Sequence, residues 1–429
     1  MVEVLKREHL PGTCRSPMLR AMDNGLPLSR RGFLWNAASG VSVAGVTALL
    51  REAGLLGQGN GSKVDPQEVF KRAVDAAISE GEVGLQFAVY KEGKLVVDVL
   101  GGVADKTTGR KVDRNTLFNV FSVTKAVTAT ALHIQAERGL VSYDAPIARY
   151  WPEFAAHGKG KATVRDGLTH RTGIPSMPEG VTPEQMADYD WMVTAVANLK
   201  PIFEPGTTNA YHSYTWGWII AEVVRRTDPK KREFRQFVMD EITKPLGIKD
   251  LWLGIPTEAE PRVARMENDQ ISVVDQSTLR GKSMPIQVAG TEAVFGRSVV
   301  RRGCIPGAGG IFNAPSCARL WAMIANEGQL DGVRILSAAR VRACLTPRPD
   351  TDQLDVGRGT ITRVGTGGYW LAADGVVGPG RILCHPGLGN SVGWADLDNR
   401  LAVAICHNRH GLAFAKPLAA AMGQAFGVA

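Results

Sequence analysis

A serine and a lysine three residues apart are the first side chains of the sequence that could do chemistry together. Ser122 and Lys125 stand ahead of a helical pattern that runs to Arg138 and is stopped by Gly139. Residues three apart share a helix face, so Lys125 is expected one turn from Ser122. A lysine kept neutral by burial can take the proton of a serine hydroxyl and make it a nucleophile. Alone, the pair fits equally well a capping serine beside a surface lysine.

Two later segments carry side chains that suit acyl transfer. Tyr211 stands in Tyr211-His212-Ser213, directly before a helical pattern from Tyr214 to Arg226. The segment His385-Pro386-Gly387 lies on a late, strand-like stretch. By itself, Tyr211 could simply be a buried aromatic residue next to a Trp-rich helix. The presence of the other segments in the same chain favours a catalytic role for it.

In order, spacing and context these segments resemble the serine β-lactamase and penicillin-binding-protein superfamily. The stretch Leu168-Thr169-His170-Arg171-Thr172-Gly173-Ile174-Pro175 is also similar to a segment of that family. The chain looks most like class C β-lactamases and the related β-lactamase-fold esterases, over nearly everything after about residue 65. The resemblance implies an α/β (α+β) fold, with a mostly antiparallel sheet flanked by helices and an inserted helical region.

The resemblance also implies a role for each matching position. Ser122 would attack the substrate carbonyl and become acylated, while Lys125 and Tyr211 would move the proton to the leaving group. The backbone N–H groups of Ser122 and Leu388 would form the oxyanion hole. The other positions implied to contact substrate are Ser213, His385 and Gly387. No cofactor and no metal is implied.

Two departures from the family pattern bear on the substrate. His385 stands where lactamases and peptidases carry a lysine, and Ser213 stands where they carry an asparagine. In the family the lysine helps to hold a substrate carboxylate and the asparagine contacts the acylamino group of a β-lactam. We therefore expect hydrolysis of a neutral carboxylic ester. The alternatives are a β-lactamase or D-amino-acid peptidase, and a catalytically silent penicillin-recognition module that only binds.

A second serine stands in Gly389-Asn390-Ser391-Val392-Gly393, which has the form of the nucleophile elbow of α/β-hydrolases. That elbow joins a strand to a helix, whereas residues 390–396 are strand-like throughout, so Ser391 is predicted to be a strand residue beside the oxyanion strand.

His407 and His410, with Asp396 or Asp398, could in principle chelate a metal, but surface histidines at a strand end are the preferred interpretation. Trp370 and Trp394 either wall an acyl pocket or pack in the core.

The sequence also predicts the helices and strands that position these residues, both before and after the motifs. Asp65 as N-cap and Pro66 at the first helical position begin a helix, and residues 85–90 and 95–100 predict a hairpin. Residues 145–300 are predicted to be an inserted, mostly helical region. A helix is predicted from about Pro315 to Asn326, and a closing helix from Lys416 to Phe426. Strands are expected at residues 368–373, 381–385, 390–396 and 401–407.

The amino-terminal segment differs from the rest of the chain. Ser29-Arg30-Arg31-Gly32-Phe33-Leu34 precedes an uncharged, moderately apolar run from Asn36 to Leu50, which resembles a twin-arginine export signal. We expect a leader over residues 1–60, a hydrolase domain over 61–429, and export to the periplasm, the cell envelope or the medium. The location would be cytoplasmic if the leader is not a signal. The apolar run is too short to span a bilayer, so no integral membrane span is expected in the mature chain.

Composition limits the classes of partner. The chain of 429 residues carries a net charge of +8 and is 44% hydrophobic, which excludes intrinsic disorder. Its densest basic stretch, from Arg225 to Arg235, is interrupted by acidic residues, so no nucleic-acid partner is expected. The six cysteines form no Cys-x-x-Cys pair and are expected to be buried thiols. The expected partner is a small-molecule ester, and the sequence leaves the oligomeric state open.

Overall fold

The structure is a computed structural model that describes residues 65–267, 274–371 and 381–410, together with Glu52 and Leu55. The predicted leader lies almost entirely outside the described residues, and so does the predicted closing helix from Lys416 to Phe426. Both stay predictions, as does the division of the chain at residues 60 and 61.

Helices and strands alternate irregularly along the described chain. The α-helices are α1 (Pro66–Ser79), α2 (Thr124–Glu137), α3 (Val164–Leu168), α4 (Pro183–Ala187), α5 (Tyr189–Ala197), α6 (Thr215–Thr227), α7 (Phe234–Val238), α8 (Leu279–Ser283), α9 (Glu292–Phe295), α10 (Ser298–Arg302), α11 (Ala314–Ala325) and α12 (Ala338–Ala343). The strands are β1 (Gly84–Lys91), β2 (Lys94–Asp105), β3 (Arg110–Lys111), β4 (Phe118–Phe121), β5 (Leu251–Leu253), β6 (Gly310–Phe312), β7 (Gln329–Leu330), β8 (Val333–Arg334), β9 (Leu354–Asp355), β10 (Thr360–Ile361), β11 (Trp370–Leu371), β12 (Ile382–Pro386), β13 (Val392–Asp396) and β14 (Leu401–His407).

The central sheet has seven strands in the order β11-β12-β13-β14-β1-β2-β3. All of its pairings are antiparallel, and β1 lies beside β14, with Leu85 opposite His407 and Lys91 opposite Leu401. The sheet is therefore built from both ends of the domain, which confirms the predicted mixed fold with a mostly antiparallel sheet.

Local sequence signals account for the first elements. The Asp65 side chain accepts a hydrogen bond from the Gln67 N–H at 3.0 Å, and Pro66 occupies the first helical position, as predicted. The β1–β2 hairpin turns through Glu92 and Gly93, which both have positive φ (52° and 82°). That is the backbone a tight two-residue hairpin requires, since its twist matches that of the strands.

Helices cover both faces of the sheet. Alternate residues of β1 point to opposite faces: Leu85, Phe87 and Val89 pack in one cluster with α1, whereas Ala88 belongs to the main core. Helix α11 packs against β1, β13 and β14. Helix α2 is the central element of the main core, because its residues from Thr124 to Ala136 are all buried. Ser122 therefore lies two residues before the first residue of this buried helix, Thr124.

The predicted insertion, residues 145–300, contains helices α3–α9 and the start of α10 within its described part. It also contributes β5, which pairs with β6, and the other neighbour of β6 is β4. The insertion and the strand that leads to Ser122 therefore share a small sheet. Cys304, Cys317, Cys344, Cys384 and Cys406 are buried free thiols, as expected.

Candidate active site

Ser122 lies at the junction of β4 and α2, where the backbone is unusual. Phe121, which precedes it, has φ 45°, a left-handed conformation that bulky residues rarely adopt. The Thr124 hydroxyl donates to the Phe121 carbonyl and accepts a hydrogen bond from the Gly310 N–H at 2.8 Å. These bonds fix the turn to β6 and place Ser122 at the start of the helix.

Lys125 is fully buried beside Ser122. Its Nζ lies 3.2 Å from Ser122 Oγ, 2.8 Å from the Ser213 carbonyl oxygen and 2.7 Å from the Gly307 carbonyl oxygen. Burial holds the pKa of Lys125 well below its usual value, because the charged ammonium loses its hydration. The two carbonyl oxygens can only accept, so they take the two hydrogens of the neutral amine. The remaining lone pair is then directed at the Ser122 hydroxyl.

Tyr211 is the third group at this point. Lys125 Nζ lies 5.1 Å from its ring centroid, and its hydroxyl interacts with Ser122. Burial raises the pKa of Tyr211 to about 12, whereas the hydrogen bond with Ser122 and the charge of Arg358 act in the opposite direction. The structure therefore brings Ser122, Lys125 and Tyr211 together in one cluster, with Lys125 and Tyr211 buried and Ser122 half-buried.

The backbone on both sides of Tyr211 is held by His170, whose own φ is 63°. The His170 carbonyl accepts from the Ala210 N–H at 3.2 Å, and its Nδ1 accepts from the His212 N–H at 3.1 Å. The His170 ring lies 4.5 Å from the Tyr211 ring, centroid to centroid. His170 is thus a support for Tyr211 rather than a second base, since burial keeps its pKa well below the usual value.

The predicted oxyanion segment follows β12 directly. A Cβ on Gly387 would lie 2.2 Å from the Val120 carbonyl oxygen, so only a glycine lets this segment approach the end of β4. Leu388 begins a 3₁₀ turn, Leu388–Asn390, immediately after the strand. Among the described residues, the backbone N–H groups of Ser122 and Leu388 donate to no protein acceptor. Both are therefore available to donate to a substrate oxygen.

Two predicted substrate positions occupy different settings. The Ser213 carbonyl accepts from Lys125, while its hydroxyl is hydrogen-bonded to Ser283 Oγ at 2.8 Å, so its nearest role is structural. His385 is fully buried, and its Nδ1–H donates to the Pro386 carbonyl at 2.9 Å. Burial holds the pKa of His385 well below its usual value, so His385 is neutral. It does not supply the positive charge of the family lysine.

Two sequence-based interpretations are wrong in detail. Ser391 is not a strand residue, because it ends the 3₁₀ turn and β13 starts at Val392. The turn forms because Gly389 and Asn390 both have positive φ. His407 and His410 are not surface histidines: both are buried, with their rings stacked 6.0 Å apart and His407 Nδ1 3.1 Å from Glu82 Oε2.

The two tryptophans have different positions. Trp370 lies beside the cluster, with its ring 5.7 Å from Tyr211 and 5.4 Å from His385. Trp394 is fully buried in the cluster formed with α1, on the other face of the sheet. Trp394 is therefore a core residue, and Trp370 is the one that borders the site.

The motifs give no role to several residues that support the site. Gly307 belongs to the glycine-rich segment 307–310, and His170 belongs to the stretch that is similar to the family, but neither pattern assigns the residue a role. Asp355 carries no signal of this kind, yet its Oδ1 accepts from the Tyr211 N–H at 2.8 Å. Its other oxygen is paired with Arg348 Nη2 at 3.2 Å, and both side chains are fully buried.

Other kinds of site find little support in the described part of the chain. Across residues 65–267, 274–371 and 381–410, no group of three His, Cys, Asp or Glu side chains could hold a metal ion. None of the helices in these segments is long and apolar enough to cross a membrane. In the basic stretch, Arg225 and Arg226 pair with Glu222, and Arg232 pairs with Asp228.

Comparison with known proteins gives matches over most of the chain. A family model described as Beta-lactamase matches residues 47–425. The chain is 34% identical over 345 residues to "Esterase/beta-lactamase LipL" of Mycobacterium tuberculosis (strain ATCC 25618 / H37Rv), covering 76% of this chain and 77% of that protein. The crystal structure of a family VIII carboxylesterase superposes with a TM-score of 0.75 and 30% identity, covering 86% of this chain and 98% of that one. A penicillin-binding protein homologue from Caulobacter crescentus superposes with a TM-score of 0.72 and 29% identity, covering 82% and 96%.

Proposed function

The chain belongs to the Beta-lactamase family, and we propose that it is a serine hydrolase that cleaves carboxylic esters through an acyl-enzyme on Ser122. The observation that carries the proposal is the placement of Lys125. Its amine is buried between two carbonyl oxygens and faces the Ser122 hydroxyl at 3.2 Å. This is the arrangement that lets an amine accept the serine proton at neutral pH.

In the acylation step, Ser122 Oγ attacks the ester carbonyl while its proton passes to Lys125 Nζ. The negative charge that forms on the carbonyl oxygen is stabilised by the N–H groups of Ser122 and Leu388, which typically contribute about 3–4 kcal/mol each. The proton then passes through the Tyr211 hydroxyl to the departing alkoxide. In deacylation the same two side chains take a proton from water as its oxygen bonds to the acyl carbon. The bond from that carbon to Ser122 Oγ then breaks, the proton returns to Oγ, and the acid is released.

The preference for esters follows from the residues around this cluster. A β-lactam or peptide substrate of the family carries a carboxylate, and His385, being neutral, offers it no charge. The Ser213 hydroxyl, bonded to Ser283, offers no amide to an acylamino group. The named similarities point the same way, since one relative is an esterase/β-lactamase and one structure is a carboxylesterase.

The test is a panel of nitrophenyl esters and a chromogenic β-lactam, assayed with wild type, Ser122→Ala and Ser391→Ala. We expect Ser122→Ala to lose ester hydrolysis by at least about 10³-fold, as for other serine nucleophiles. Ser391→Ala is the matched control, because Ser391 is a buried serine with its hydroxyl near the His407 N–H.

Full activity in Ser122→Ala, or labelling of Ser391 by a fluorophosphonate probe, would overturn the proposal. Hydrolysis of the β-lactam in preference to esters would favour the lactamase alternative. Labelling of Ser122 without turnover would favour the silent binding module.

We also propose that residues 1–60 direct export by the twin-arginine route. The support is the Arg30-Arg31 pair, followed by Phe33 and a weakly apolar run. A reporter fused to residues 1–60 should be exported, and the Arg30→Lys/Arg31→Lys variant should keep it in the cytoplasm. Export of that variant would refute the proposal.

A further inference from the structure

We propose that Arg358 is a further residue of this reaction, a positioning residue whose guanidinium lies over the Tyr211 ring and favours the ionised form of that tyrosine. The inference rests on the proposed function, because it takes Tyr211 to be a proton carrier. Nothing in the sequence motifs indicates Arg358, which follows the short strand β9 far from all of them.

The turn that carries Arg358 is attached to the backbone of Tyr211. Asp355 Oδ1 accepts hydrogen bonds from the N–H groups of Tyr211 (2.8 Å), Gly357 (3.1 Å) and Arg358 (3.2 Å). A Cβ on Gly357 would lie 2.9 Å from the Tyr211 nitrogen, so a glycine is needed for this approach. One carboxylate therefore fixes both the tyrosine and the arginine.

Asp355 is itself held in place by a buried ion pair. Arg348 contacts its Oδ2 through Nη2, which also donates to the Thr362 carbonyl at 2.9 Å. Arg348 Nη1 donates to the Thr169 carbonyl at 2.8 Å, in the residue before His170. The network thus joins the β9–β10 turn to the Tyr211 backbone and to the segment of Thr169 and His170. The position of Arg358 is therefore set by the fold.

The guanidinium lies against two aromatic rings of the site. Arg358 Cζ is 5.5 Å from the Tyr211 ring centroid and 4.8 Å from the Trp370 ring centroid. At this range the positive charge of the guanidinium lowers the pKa of Tyr211, while burial acts more strongly in the opposite direction.

The groups facing Tyr211 differ in the charge they carry. Lys125 on α2, His170 after α3 and His385 on β12 all have pKa values held well below their usual range by burial. Asp355 raises the pKa of Tyr211, and Arg358 lowers it. Arg280 on α8 lies near enough to repel Arg358. Among the described residues, Arg358 is therefore the cation that lowers the pKa of Tyr211 while Lys125 is neutral.

The experiment compares Arg358→Met and Arg358→Gln, which remove the charge, with Arg358→Lys, which keeps it. Arg363→Met is the matched control, because Arg363 lies in the same segment and pairs with Asp352 at the surface. For both neutral variants the acidic limb of the kcat/KM pH profile is expected to move to higher pH. At a fixed pH on that limb, kcat/KM should fall by at least about tenfold. Arg358→Lys should restore most of the loss, and Arg363→Met should match wild type.

A second measurement reads Tyr211 without catalysis. The tyrosinate absorbance of the protein minus that of its Tyr211→Phe variant gives the ionisation of Tyr211, which should move to higher pH in Arg358→Met or Arg358→Gln. An unchanged titration would overturn the inference. A raised KM with an unchanged pH profile would also overturn it, by making Arg358 a substrate contact. If Ser122→Ala kept full activity, the proposed function would fail while this titration still tested Arg358.

Discussion

Asp355→Ala is expected to lower both the stability of the protein and its rate of turnover. Asp355 and Arg348 form an ion pair whose side chains are both fully buried. Removing one partner leaves the other charge buried and unpaired, which costs about 3–5 kcal/mol. For a folded body of roughly 330 residues the unfolding entropy is about 0.7 kcal/mol/K, so the melting midpoint should fall by about 4–7 °C.

The activity should fall for a separate reason. The N–H groups of Tyr211 and Arg358 lose their shared acceptor, so the tyrosine and the guanidinium over it both shift. A displacement of about 1 Å can cost about 10²-fold in rate, and we expect a loss of that order in kcat on a nitrophenyl ester.

Asp352→Ala is the control, because the Asp352 carboxylate is exposed and its pair with Arg363 lies at the surface. Exposed pairs contribute little, so this variant should melt and turn over like wild type. The reasoning is refuted if Asp355→Ala behaves like Asp352→Ala. The double variant Arg348→Met/Asp355→Leu removes both buried charges and also the acceptor of the Tyr211 N–H. If it recovers the wild-type kcat, the argument that this acceptor is needed for turnover is refuted.

Two further predictions concern the support of Lys125. Because burial lowers the pKa of Lys125 below its ordinary 10.5, the unfolded chain binds more protons than the native one between these two pKa values. Relative to the inactive Lys125→Met variant, wild type should therefore gain stability as the pH rises from neutral toward 10.5, measured by denaturant unfolding; a constant difference would contradict a neutral lysine. Gly217→Ala should destabilise the protein by about 1–3 kcal/mol and lower kcat, because its Cβ would lie 2.1 Å from the backbone nitrogen of Gly307, whose carbonyl accepts from Lys125. Gly160→Ala, where the nearest atom is 3.6 Å away, should change neither thermal midpoint nor rate.

The parts of the fold that the sequence predicts are those set by local signals. The Asp65 cap, the β1–β2 hairpin and the helix after Ser122 depend on residues a few positions apart. The resemblance then indicates Tyr211 and His385, which no local pattern joins to Ser122. Because side-chain types at fixed spacings carry this information, the cluster of Ser122, Lys125 and Tyr211 could be proposed before the structure was known.

The contacts that the sequence does not predict are tertiary ones. Asp355 and Arg348 are charged residues in short, irregular elements, and nothing local indicates that both are buried. His407 and His410 have the polarity of surface residues, yet both are buried, because His407 ends the central strand β14 and the His410 ring stacks with that of His407. Ser391 is predicted to be a strand residue because residues 390–396 are strand-like throughout, whereas positive φ at the two preceding residues makes a turn.

Close backbone approaches explain why parts of the site, such as the contacts of Gly217 and Gly357, are not indicated by side-chain motifs. Three glycines each allow another chain segment to lie against the catalytic cluster at a distance that a Cβ would forbid: Gly217 against Gly307, Gly387 against Val120, and Gly357 against Tyr211. Two of the groups held in place in this way are backbone ones, namely the Gly307 carbonyl that accepts from Lys125 and the N–H of Leu388 that we propose for the oxyanion hole, while the third approach fixes the backbone of Tyr211. A backbone group has the same chemistry whatever the residue, so it leaves no side-chain pattern. It follows that substitutions at these glycines should impair catalysis more than their distance from the reacting atoms suggests, because they move the backbone groups that the reaction uses.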